Sequence, residues 1–155
     1  MGKYLASVED HLVLPAVVRL PSEQETLQRR AGRSVPAPVA VRLLIDTGAK
    51  RTTVIPGIVR HLQPYSGSSA RVVSSLGTLV TDLVWLCFEF PDADLAAFPE
   101  VLVARLPMPP KLAQFHGLLG RDLLRRLESF EYEGRRGGYT IRDSPGLFPW
   151  LRRWL

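Results

Sequence analysis

The chain of 155 residues has a single cysteine, Cys87. It has no partner for an internal disulfide, so a reducing, cytoplasmic setting is expected. Histidine is nearly as scarce. His11, His61 and His116 stand far apart, without the spacing of metal ligands. That argues against a zinc hydrolase and predicts surface or packing roles for all three. Cys87 lies in an apolar segment with no evident base beside it, and Ser74-Ser75 lack a Gly-x-Ser-x-Gly elbow. Thiol and serine hydrolases are therefore disfavoured. No apolar run reaches the ~20 residues that cross a bilayer. The stretch Met1 to Asp10 has no apolar core, so neither a membrane span nor a secretory leader is expected. No repeat of solenoid length is present.

Hydrophobic residues make up 46% of the chain and charged residues 23%, the balance of a folded globular protein. The length suits one domain, residues 1–155. Proline (13) and glycine (12) are spread throughout, as turns between many short strands require. The net charge is +5. Its arginines fall in scattered pairs, Arg29-Arg30, Arg125-Arg126, Arg135-Arg136 and Arg152-Arg153, rather than on one element with interleaved aromatics. A solvated basic surface that favours acidic partners is expected, and no nucleic acid.

Residues 11–20 are rich in β-branched and apolar side chains and predict a strand edged by Pro15. Residues 21–37 are polar and read as an exposed loop, with at most a helical turn. Val39 to Ile45 predicts a strand whose final apolar run is of the kind buried on both faces. A short helix is expected from Gly57 to Leu62, then turns from Pro64 to Ser69. Residues 70–90 predict a hairpin with a glycine-containing tip. A further strand covers Glu100 to Leu106, followed by a proline-rich loop, Pro107 to Pro110. Leu123, Leu124 and Leu127 have helical spacing, which predicts a helix from Arg121 to Leu127. Strands at Ser129–Glu133 and Tyr139–Arg142 close the pattern, and an apolar tail with two arginines runs from Leu147 to Leu155.

The strand ending at Ile45 stops at Asp46-Thr47-Gly48-Ala49. An ionised carboxylate at the end of an apolar strand is costly unless it is hydrogen-bonded or paired. Thr47 and Gly48 permit a tight turn in which backbone amides surround it. A turn aspartate that merely caps a loop is the plain alternative.

Asp-Thr-Gly-Ala after an apolar strand, with Thr52-Thr53-Val54-Ile55 following, resembles the active-site segment of aspartic proteases. Gly117-Leu118-Leu119-Gly120-Arg121-Asp122-Leu123-Leu124 is similar to the second signature of the retropepsin family, in its cellular and bacterial form. Val73 to Val80 falls where that family carries its flap. The resemblance covers residues 11–143, leaving 144–155 as a tail. It implies a mainly β fold, a closed retropepsin-like barrel with one short helix in the C-terminal half. It also implies an aspartic endopeptidase in which Asp46 is catalytic, with Thr47, Gly48 and Ala49 forming the active-site turn. Ser75, Leu76, Gly77 and Thr78 match the flap tip over a peptide or protein substrate, and Leu118, Leu119 and Gly120 the structural support. One chain supplies one aspartate where the chemistry needs two, so the resemblance implies a homodimer with no metal or organic cofactor. Tyr139–Arg142 is the candidate strand for a terminal sheet between subunits. Asp122 reads as a first-turn helix residue favoured by the dipole.

One departure stands out. Where retroviral members carry acidic residues soon after the signature, this chain has Lys50 and Arg51. They are candidate specificity residues for acidic substrates, and a plain surface role is the alternative. A dimer that binds peptides without turnover is the second functional reading.

Overall fold

The computed structural model describes residues 2–7, 12–74, 77–93, 95–133, 135 and 138–143, with the backbone alone for 2–7 and Ser74. Its strands are β1 (Gly2–Ser7), β2 (Val13–Arg19), β3 (Val39–Ile45), β4 (Thr53–Val54), β5 (Ser66–Ser74), β6 (Gly77–Glu89), β7 (Phe98–Arg105), β8 (Gly117–Leu119), β9 (Ser129–Glu133) and β10 (Gly138–Asp143). Its helices are α1 (Ser22–Arg30), α2 (Pro56–Leu62) and α3 (Arg121–Leu124), with a 3-10 turn at Pro110–Leu112.

Strands β2, β3, β8, β4, β7 and β6 pair in that order, and β2 returns to β6 through Val17–Glu89 and Arg19–Cys87, closing a six-stranded barrel. Alternation drives the closure. Leu14, Ala16 and Val18 of β2 and Val41, Leu43 and Ile45 of β3 are all buried, every second residue pointing inward. Phe88, Val103, Leu119 and Ile141 complete the same core. Closure removes the open edges a sheet would otherwise present. The Leu43-Leu44-Ile45 run is not buried on both faces, as its composition suggests. Leu44 is only half-buried and faces a cleft.

Strand β5 extends the sheet beyond β6 as the outer arm of a hairpin, starting at Ser66 where turns were expected. A second, three-stranded sheet has the order β1-β10-β9. Strand β10 is therefore hydrogen-bonded on both sides within its own chain and has no open edge for a partner, contrary to the reading of Tyr139–Arg142 as an intersubunit strand. The hydroxyl of buried Tyr139 donates to Val13 O, tying this sheet to the barrel.

The helices also depart from expectation. Residues 22–30 form the longest one, not a loop. Its acidic first turn (Glu23, Glu25) and basic last turn (Arg29, Arg30) complement the helix dipole. Helix α3 ends at Leu124 rather than Leu127, because Glu128 N already donates to Arg142 O and draws the chain into β9. Of the three helices among the described residues, two thus lie in the N-terminal half. No helix among the described residues is long and apolar enough to cross a membrane.

Candidate active-site cleft

Asp46 follows directly from β3. Its N–H donates to Leu119 O (3.0 Å), continuing the parallel β3–β8 pairing one residue past the strand. Its Oδ1 accepts from Gly48 N (2.8 Å) and Ala49 N (3.2 Å). The turn is tight enough that a Cβ on Gly48 would lie 3.1 Å from Oδ1. Two amide donors fix the orientation of this oxygen. Oδ2 has no partner among the described residues, and the side chain lines the cleft. Thr47 and Gly48 are exposed and Ala49 is half-buried.

The turn is braced from behind by the segment that starts at β8. Strand β8 runs parallel to β3 and antiparallel to β4, threaded between them. A Cβ on Gly117 would sit 2.0 Å from Thr53 O, and one on Gly120 would sit 2.5 Å from Arg51 C. Neither position has room for any side chain. Past β8, Arg121 N donates to Ala49 O (2.9 Å). Asp122 Oδ1 accepts from Thr52 N (2.9 Å), Thr52 Oγ1 (2.8 Å) and Leu123 N (2.9 Å). Thr52 Oγ1 in turn accepts from Gly120 N (3.1 Å). Asp122 does stand in the first turn of α3, but its main work is to clamp the chain leaving the Asp46 turn. Sequence reasoning missed this, and also missed Thr52. The signal available was the placement of two threonines after the Asp-Thr-Gly and of a carboxylate two residues after Gly120.

The cleft has a volume of about 730 Å³. Its apolar lining includes Leu44, Leu106, Met108 and Leu118. Leu118 is half-buried and faces this space, beside its β3 pair Leu44, whereas Leu119 is core at 1% exposure. Lys50 and Arg51 both line the cleft, and Arg51 Nη1 donates to Leu102 O (3.1 Å). On the hairpin side the lining comes from the β5 arm, including Arg71, Val72 and Val73. Of the four flap-tip candidates, Gly77 (φ +110°) and Thr78 open β6 and are exposed, while Ser75 and Leu76 lie outside the described residues. Arg71 and the Pro107–Pro109 wall were not singled out in the sequence, which shows a strand and a loop there but not what they face.

Two of the three histidines hydrogen-bond to backbone, and His11 lies outside the described residues. His116 Nδ1 accepts from Arg42 N (2.9 Å), and His61 Nε2 lies 2.9 Å from Ala37 O. Cys87 is buried in β6, and burial pushes its thiol up to about 11, so it is no nucleophile at neutral pH.

No protein-family model matches the chain, and no curated protein matches its sequence. Among solved structures, it is similar to a retropepsin-like aspartic protease from Rickettsia conorii, with a TM-score of 0.54 and 13% identity, over 90% of this chain and 89% of that one. The chain has a retropepsin-like fold. EIAV protease, solved with a bound inhibitor, is a looser match: TM-score 0.46, 17% identity, 77% of this chain and 90% of that one. In the retropepsin-like barrel of this chain, the Asp46 turn, the β8 brace and the β5–β6 hairpin stand around one cleft.

Proposed function

We propose that this chain is an aspartic endopeptidase, a single-domain protein that acts as a homodimer on peptide or protein substrates. The observation that carries the proposal is Asp46 itself, with one oxygen held by two amides and the other unbonded at an apolar-lined cleft. In the proposed mechanism Asp46 of each subunit faces its mate across a water. Like charges ~3 Å apart cannot both ionise, so the pair shares one proton. The ionised member takes a proton from the water as it attacks the scissile carbonyl carbon, and the protonated member donates to the carbonyl oxygen. Collapse of the tetrahedral adduct breaks the C–N bond, with a proton passing to the leaving amine. Thr47 is the proposed grip between the two turns, Gly48 the backbone contact for substrate, and the β5–β6 hairpin the cover. No metal or organic cofactor has a step in this scheme. The single cysteine is the ground for a cytoplasmic assignment.

Cleavage of a peptide library from acidic to neutral pH tests the proposal, comparing the wild type with Asp46→Asn. The substitution is isosteric but cannot act as the base. Turnover is expected to fall by at least about a thousandfold. Full activity in Asp46→Asn would remove the mechanism. Peptide binding by a wild type that never cleaves would favour the silent-binder reading.

A further inference from the structure

The cleft is not electrically neutral. Among the described residues three cations line it, Lys50, Arg51 and Arg71, against the single carboxylate of Asp46. Elsewhere Arg19 pairs with Glu25 and Glu89, Arg29 with Glu25, Arg105 with Asp82 and Arg142 with Glu131. None of the three cleft cations has a carboxylate within ion-pairing distance among the described residues. Arg51 is half-buried and held by a carbonyl, Leu102 O, at 3.1 Å. A carbonyl orients a guanidinium without neutralising it. The group is thus positioned for a second, anionic partner, which its planar fork can bind bidentately.

Uncompensated cations in a concave wall repel one another and lose hydration when a ligand covers them. A carboxylate on the ligand offsets both costs. Lys50 and Arg51 lie four and five residues past Asp46, and Arg71 comes to the same cleft from a separate element, β5 of the hairpin. The same cleft carries the apolar lining of Leu44, Leu106, Met108 and Leu118. A peptide that carries both apolar and acidic side chains matches this lining. A nucleic acid matches the charge but not the apolar lining.

Resting on the protease reading above, we infer that the substrates are acidic peptides. An apolar residue at the scissile bond seats on the apolar lining, and Glu or Asp side chains within a few positions of it pair with Lys50, Arg51 and Arg71.

The test uses the full chain and three peptide sets with the same apolar centre, flanked by Glu, Gln or Lys. The Glu set is expected to have a kcat/KM at least about tenfold above the Gln set, or ~1.4 kcal/mol, with the Lys set lowest. Raising NaCl from about 0.05 M to about 0.5 M should erase most of that preference, because the Debye length shrinks to a few ångströms. Lys50→Glu should shift the order toward the Lys set. This exposed side chain makes no hydrogen bond to the described residues that its loss would break, which keeps the test separate from folding, whereas Arg51→Glu also removes the bond to Leu102 O. Equal cleavage of all three sets overturns the inference and leaves the protease reading standing. If no set is cleaved, fluorescence anisotropy with the same peptides decides. Glu peptides binding about tenfold tighter than Lys peptides, with the gap narrowed by Lys50→Glu, would uphold acidic-peptide recognition while the protease reading falls. Equal binding, or none, overturns the inference. Competition by a charge-matched oligouridylate as strong as that of the Glu peptide also overturns it, in favour of general polyanion binding.

Discussion

Asp122 takes three hydrogen bonds on one oxygen, two of them from Thr52, a residue with no exposed surface. Removing that acceptor leaves the Thr52 amide and hydroxyl buried without their partner, at a cost of about 1–3 kcal/mol for each unsatisfied group. Asp122→Ala should therefore lose on the order of 3 kcal/mol in urea unfolding, while Asp122→Asn, which keeps a carbonyl oxygen in place, should lose about 1 kcal/mol or less. Equal losses from both would mean that the carboxylate charge, not its acceptor geometry, holds the turn. The role was hidden in the sequence because Thr52 and Asp122 are 70 positions apart. A local reading finds only a carboxylate near a helix start. The turn at Asp46 was legible for the opposite reason, since strand, acid and small turn residues are contiguous.

At the scale of elements, β8 is the least replaceable. It is three residues long, yet β3 and β4 pair to its two sides and the backbone of β4 passes against Gly117. Gly117→Ala is expected to cost about 3 kcal/mol or more, since the clash is with backbone and no rotamer change relieves it. Thermal or urea unfolding reads this directly, and a loss below about 1 kcal/mol would show that β4 yields easily. Other elements show what sequence patterning can and cannot carry. Strand β3 matches the expected Val39–Ile45 because apolar alternation and the Asp-Thr-Gly punctuation both bound it. Helix α1 went unrecognised because it has no apolar stripe. Its one buried residue is a glutamine, Gln24, which accepts from Tyr65 N (3.0 Å). Strand β1 was missed for a related reason: it is defined by pairing to β10, at the far end of the chain. Both are created by tertiary contacts, which periodicity does not record.

At the scale of the whole molecule, the closed barrel has one consequence for assembly. Strands β2 and β6 complete the ring, and β10 has both edges filled within the chain. A dimer then cannot form by adding a strand to β10 or between β2 and β6. In the proposed dimer, the exposed Thr47-Gly48 turn brings the two copies of Asp46 together about a twofold axis. Subunit mixing tests this most directly. Wild type and Asp46→Asn are combined in equal amounts, exchanged to equilibrium at fixed total concentration, and assayed with a peptide substrate. If each site needs an acid from both copies, mixed dimers are silent and activity falls to roughly a quarter of the wild-type value, the share of dimers with two wild-type subunits. If each chain works alone, activity is roughly half, and the shared site is contradicted.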